Sequence, residues 1–214
     1  VSFLEFLIKR ADDMLEMGIG HAAVVGISVL LATVLGVALG VLTHRNERAR
    51  DFTLAVSGAM LTIPSFALFI LLLGPLGLGA KPVIVALTMY GLMPIIRNTV
   101  AGLNGVDPAV TESARGMGLT RMQRLLRVEL PLAWPVIITG VRVTTLSLLG
   151  IAAIGSIVNG PGFGNFIFTG LARVGTPVAI NFVLAGALGV VILAILSDVL
   201  FHIVRRLTTS KGIR

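Results

Sequence analysis

Five stretches of this chain, at about 20–42, 52–74, 82–103, 132–158 and 178–204, contain few charged residues and long apolar runs. About twenty helical residues at roughly 1.5 Å each cover the ~30 Å hydrocarbon core of a bilayer, so each stretch is long enough to cross one. The solvent for most of this sequence is therefore lipid. Only 13% of the residues are charged, against roughly a quarter in a soluble domain, and the mean hydropathy is +0.99. The expected fold is all-α: a polytopic membrane protein with about five transmembrane helices, the fourth including an interfacial turn. No polar segment is long enough to fold separately, so residues 1–214 read as a single transmembrane domain.

Ahead of the first span, Phe3, Leu4, Leu7, Ile8, Ala11, Met14 and Leu15 share one helical stripe, while Glu5, Lys9, Arg10, Asp12, Asp13 and Glu16 fall mostly off it. That pattern predicts an amphipathic surface helix over 1–18, too polar to span. A cleaved leader would have a shorter apolar run and a basic start without these acids, so the first span reads as retained. The net charge of +7 does not point to nucleic acid, because the basic residues sit in short segments between apolar runs, with no interleaved aromatics. Twelve of them (Arg45, Arg48, Arg50, Arg97, Arg115, Arg121, Arg124, Arg127, Arg205, Arg206, Lys211 and Arg214) are assigned to one set of connections. Four (Lys9, Arg10, Lys81 and Arg173) are assigned to the other. Positive charge stays on the cytoplasmic side, which predicts an outside N-terminus and a cytoplasmic C-terminus. There is no cysteine, and His21, His44 and His202 stand singly without metal-ligand spacing, so no metal site is expected.

The segment from Asp107 to Pro131, DPAVTESARGMGLTRMQRLLRVELP, is unlike the rest. Asp107 and Pro108 suit a helix start, a side-chain cap followed by a ring at the first helical position. Gly116 and Gly118 break that helix. Thr120 then caps a second short helix, with Gln123 placed for a reciprocal box. Met122, Leu125, Leu126 and Val128 give it an apolar side; Arg121, Arg124 and Arg127 give it a basic one. Pro131 closes the unit at the membrane. The prediction is two short helices around a glycine turn, a compact cytoplasmic knob over 107–131.

In these residues the chain resembles the permeases of ATP-binding-cassette (ABC) importers. Their loop signature is Glu-Ala-Ala, three residues, Gly, nine residues, then Ile-x-Leu-Pro. Here Glu112, Ser113 and Ala114 are followed by Gly118 and then by Val128, Glu129, Leu130 and Pro131, with every spacing kept. Ser113 and Val128 are conservative departures. The resemblance implies that Glu112, Ser113, Ala114, Gly118, Val128, Leu130 and Pro131 form a coupling loop docking on an ATPase. It also implies two ABC ATPase subunits, a second permease chain, identical or not, an extracytoplasmic substrate-binding protein, and a bacterial cytoplasmic (inner) membrane location. The chain has no GxxxxGK[ST] phosphate loop, so ATP and Mg belong to a partner and no cofactor is expected on this chain.

Further elements extend the likeness over about 20–206: Ile63-Pro64-Ser65, the run Leu92 to Thr99, Val106 to Ala109, and Gly162 to Phe168. These are similar to the glycine betaine/carnitine/choline branch, the osmoprotectant importers, within the small methionine-type permease architecture. The implied function is a translocation pathway for such a solute. The alternatives are a methionine-like amino-acid permease and an ion-coupled secondary transporter, which would need more intramembrane acid than Asp198. A membrane enzyme lacks any nucleophile–base or metal constellation.

Inside the spans, Pro64, beside Ser65, and Pro94 each remove a helical hydrogen bond; either the resulting kinks border the pathway or they serve helix packing. Tyr90, with Phe66 and Phe69, lines a path or packs in the core. Trp134 reads as an interfacial anchor. The loop after Asn159 is glycine- and proline-rich yet carries Phe163, Phe166 and Phe168, so it is expected to dip back onto the protein or the interface. Arg142 and Asp198 are the costliest residues by position, each placed a turn or two from the cytoplasmic end of its span; they are expected to face protein, and their similar depth suits a pair. The competing account has Arg142 snorkelling or pairing with Glu112 or Glu129. Gly36 and Gly40 form a GxxxG step suited to close helix approach.

Overall fold

The apolar runs are helical, and the second is broken into two helices at Ile63–Pro64. The computed structural model describes residues 2–209; Lys211 and Arg214 of the basic tail lie outside the described residues. The order is α1 (Phe3–Lys9), α2 (Ala11–Thr43), α3 (Glu47–Thr62), α4 (Ser65–Leu76), α5 (Ala80–Asn104), α6 (Pro108–Gly116), α7 (Arg121–Arg124), α8 (Leu130–Ala152), α9 (Gly164–Ala172) and α10 (Ala179–Thr208). A wide turn at Leu125–Glu129 joins α7 to α8, and a tight 3₁₀ segment, Ala153–Val158, follows α8. Four of these segments are individually long and apolar enough to cross a membrane, and the bent pair α3–α4 makes a fifth when taken as one.

The core lies where α2, α5 and α8 pack together, with Val25, Ala32, Leu87, Ile95 and Leu148 almost wholly buried. The GxxxG step sets how closely α2 and α5 approach. A Cβ on Gly36 would stand 2.8 Å from Ile95, and one on Gly40 2.7 Å from Thr99. Both are too short for any larger side chain, so the step is used within the chain.

Several expectations are corrected. The predicted surface helix over 1–18 is split at Arg10: only Phe3–Lys9 is a separate helix, capped reciprocally by Ser2 and Glu5. Residues 11–18 are the first turns of the continuous 33-residue α2. The second run is not one kinked helix; α3 and α4 meet at 96°. Ile63, which precedes Pro64, is extended (φ −70°, ψ 126°), the conformation that a following proline ring enforces. Pro94, by contrast, sits inside an unbroken α5. Arg97, assigned by sequence to a connection, lies within α5 and is exposed.

The two ends of the bundle differ. At one end, Gly79 N–H donates to Val158 O (2.7 Å), and Phe6 of α1 packs edge-on against Phe182 (4.8 Å between centroids). Phe163 and Phe166 bury against the same cluster, so the aromatic loop does fold back onto the protein. At the other end lie Arg45, Arg124 and the loop between α5 and α8, with Trp134 Nε1 donating to Thr208 Oγ1 (2.8 Å) across α8 and α10.

Candidate functional site

The loop between α5 and α8 is built from capping chemistry. Asp107 accepts a hydrogen bond from Ala109 N–H (2.8 Å), and Pro108 occupies the first helical position of α6. At the far end Gly118 adopts φ +82°. Its N–H donates to Arg115 O (3.0 Å), and Leu119 N–H donates back to Ala114 O (3.2 Å). This pair of bonds is the Schellman termination, which needs a left-handed residue at the position of Gly118. Thr120 and Gln123 form the expected reciprocal box at the start of α7 (3.3 and 2.9 Å).

The second helix of the predicted knob is not separate. After Arg124 the chain widens into i→i+5 hydrogen bonding, with Leu130 N–H donating to Leu125 O, and runs straight on into α8. Pro131 therefore does not end the unit; it sits in the first turn of α8, where its missing N–H is tolerated. The loop is one free helix, α6, and an extension of α8, joined through the turn at Gly118.

Of the signature residues, Glu112 and Ser113 face outward and Ala114 is 1% exposed, the small side chain that lets α6 lie close to its neighbours. Val128 and Leu130 are half-buried, and Pro131 is exposed. Met117 and Met122 stand uncovered at 73% and 62% exposure, beside Arg121 and Arg115. An apolar patch on a basic loop away from the spanning segments is the composition of a docking surface. Beneath α6 a polar cavity of about 330 Å³ is lined by His44, Arg45, Asn104, Glu112, Arg115 and Glu129 among others.

Sequence reasoning missed two side chains. Glu129, 4% exposed, takes hydrogen bonds to both carboxylate oxygens from Arg45 Nη2 (2.8 and 3.0 Å) and one from Arg124 Nε (2.9 Å). His21 is fully buried, with Nε2 3.0 Å from Leu149 O and Nδ1 accepting from Phe163 N–H (3.3 Å). Those partners require the neutral imidazole with its proton on Nε2. His21 thus pins the folded-back loop to α8, a structural role. Among the described residues no group of three or more His, Cys, Asp or Glu side chains is placed to hold a metal ion.

The intramembrane candidates fall into two pairs. Tyr90 is 3% exposed, and its hydroxyl donates to Ile63 O (2.9 Å). That carbonyl loses its helical partner at the Pro64 break, so Tyr90 supplies what lipid cannot. Phe69 is also in the core, while Pro64 and Phe66 are exposed and Ser65 is half-buried. Tyr90→Phe should therefore cost about 1–3 kcal/mol, the penalty for a carbonyl left unsatisfied away from water. Thermal unfolding in detergent checks this, and an unchanged midpoint would mean that Ile63 finds another donor. The second pair is Arg142 and Asp198, whose Nε and Oδ1 lie 2.6 Å apart. They sit twelve residues from the start of α8 and ten from the end of α10, about 18 and 15 Å of helix and nearer three turns than one or two. Arg142 pairs with neither Glu112 nor Glu129.

With this geometry in view, residues 32–210 match the family described as the binding-protein-dependent transport system inner membrane component. The chain is 36% identical, over 99% of both lengths, to the osmoprotectant import permease protein OsmW of Salmonella typhimurium. It is 35% identical to the choline transport system permease protein OpuBB of Bacillus subtilis, over 99% of this chain and 95% of that one. The glycine betaine/carnitine/choline permease protein OpuCB of the same organism is 34% identical over the same shares. In three dimensions the chain is similar to a chain of the MetNI methionine ABC transporter in an inward-facing form, with a TM-score of 0.80 over 92% of this chain and 96% of that one, at 22% identity. The chain belongs to the family of binding-protein-dependent transport system inner membrane components, the permease subunits of ABC transporters, in which a separate ATPase subunit hydrolyses ATP.

Proposed function

We propose that this chain forms part of the translocation pathway for a small quaternary-ammonium solute of the glycine betaine, choline or carnitine type. The observation that carries this is likeness over nearly the full length, at 34–36% identity, to permeases named for those solutes. The likeness to the methionine transporter is one of fold, at 22% identity, and lends no support to methionine as the solute. The whole chain acts as one transmembrane domain in the inner membrane. Two permease chains enclose the path, an external binding protein delivers the solute, and two ATPases holding ATP and Mg drive the cycle. Glu112, Ser113, Ala114, Gly118, Val128, Leu130 and Pro131 form the surface on which an ATPase bears. The N-terminus lies outside and the C-terminus in the cytoplasm, supported by the gathering of Arg45, Arg124, Arg205 and Arg206 at one end of the bundle.

Reconstitution tests this. The permease, its ATPase and its binding protein in liposomes should take up at least one of labelled glycine betaine, choline and carnitine, only with ATP inside and the binding protein outside. Uptake of none of the three would remove the solute assignment. Uptake driven by an ion gradient without the ATPase would replace the mechanism.

A further inference from the structure

We propose that Glu129 is a positioning residue that carries motion of the loop between α5 and α8 to the broken span α3–α4, through Arg45. This deepens the coupling role given above and rests on it.

The joint between α7 and α8 is mechanically weak. The i→i+5 turn at Leu125–Glu129 departs from the α-helical ladder, and Pro135, inside α8, lacks the N–H that would continue it. Left alone, such a joint would bend under a load applied at α6 and α7. Glu129 sits at its last residue and is held from two directions. Arg124 reaches it across the wide turn itself, bracing the joint from within. Arg45 reaches it from the short connection between α2 and α3.

The second bond changes where a push goes. Through the backbone, the loop leads only into α5 and α8. Through Arg45 it also leads into α3, whose other end is the 96° break at Ile63–Pro64. The side chains suit a fixed link. The side chains of Glu129 and Arg124 are 5% and 16% exposed, and the Arg45 guanidinium touches both carboxylate oxygens. A carboxylate held on both oxygens by charged donors keeps its orientation better than one on a single contact. Nothing in a docking surface requires this link; the exposed residues of α6 stand without it.

The test reads solute taken up per ATP hydrolysed, a ratio that loss of folded protein alone does not move. In the reconstituted complex, with whichever of the three solutes the unmodified protein carries, Arg45→Gln should lower that ratio at least tenfold while hydrolysis stays within twofold. Arg45→Lys, which keeps the charge but not the rigid planar guanidinium, should recover part of it. Arg124→Gln, which leaves the link to α3 in place, should lose less than Arg45→Gln. Glu129→Gln should uncouple as Arg45→Gln does; because it leaves two arginines facing a neutral group and can fail to assemble, Arg45 carries the decision. A ratio within twofold of the unmodified value for Arg45→Gln overturns the proposal, as does a Lys variant no better than Gln. Absence of ATP-dependent uptake in the unmodified complex is a different result and falls on the coupling role itself.

Discussion

Valine at Gly118 should reduce ATP-driven uptake at least tenfold, alanine should reduce it several-fold, and asparagine should leave most of it. The order follows from backbone conformation. Gly118 stands at φ +82°, and a Cβ added there meets nothing within 4 Å. No neighbour would clash, so volume is not what is being tested. An L-residue pays about 1–2 kcal/mol to enter the left-handed region, which lowers the population of the native turn roughly 5- to 30-fold. Asparagine enters it more readily than alanine, and a β-branched residue least of all. If the turn opens, the bonds from Gly118 to Arg115 and from Leu119 to Ala114 are lost, and α6 no longer keeps its angle to α7. Uptake and binding-protein-stimulated ATP hydrolysis in liposomes, set against the amount of assembled complex, give the readout. An order that follows side-chain size, with alanine better than asparagine, would mean that a partner packs on Gly118 and the turn is not the cause.

That glycine was legible in the sequence because its signal is local. Asp107 before Pro108, and Thr120 three residues before Gln123, were legible for the same reason, and all three caps form as their spacing implied. Pro131 misled because a proline after a helical pattern is also what begins the next helix. The chain resolves the ambiguity with the wide turn before it, which nothing in the residue types announces. Pro64 and Pro94 show the same limit. Each removes one hydrogen bond, yet one span breaks and the other does not. Beside Pro94, Ile95 and Ile96 are wholly buried, and Asn98 Nδ2 donates to Pro94 O (2.8 Å), so packing holds α5 together. At Pro64 the surroundings are open, and Tyr90, 27 residues from Ile63, takes up the freed Ile63 carbonyl. The link from Glu129 to Arg45 and the bonds of His21 were out of reach for a related reason: those partners lie 84, 128 and 142 residues away, and a lone polar residue carries no spacing to read. What the spans contain was visible; which of their faces meet was not.

Arg142 and Asp198 are the exception, because two opposite charges at similar depth in lipid have few other solutions. Reversing either one, as Arg142→Asp or Asp198→Arg, should sharply reduce recovery of folded protein. Each variant sets like charges where Nε and Oδ1 now lie 2.6 Å apart. An uncompensated charge in the middle of a span costs about 2.5–3.5 kcal/mol on insertion scales, and a tenfold loss corresponds to about 1.4 kcal/mol, so recovery should fall by about two orders of magnitude. Exchanging both should restore most of it, since the same two side chains then span the same gap. An exchanged protein no better than the single reversals would show that the contact is not what stabilises the bundle. A neutral pair, Arg142→Met with Asp198→Leu, separates two uses of the charges. Apolar replacement of an ion pair held away from water is often neutral or stabilising, so this variant should fold. The two side chains are 38% and 39% exposed, so the charges are open to whatever borders the bundle there. If the neutral protein assembles with its ATPase yet takes up less solute, the charges act on the path as well as on the fold; if uptake is intact, their work is to join α8 to α10.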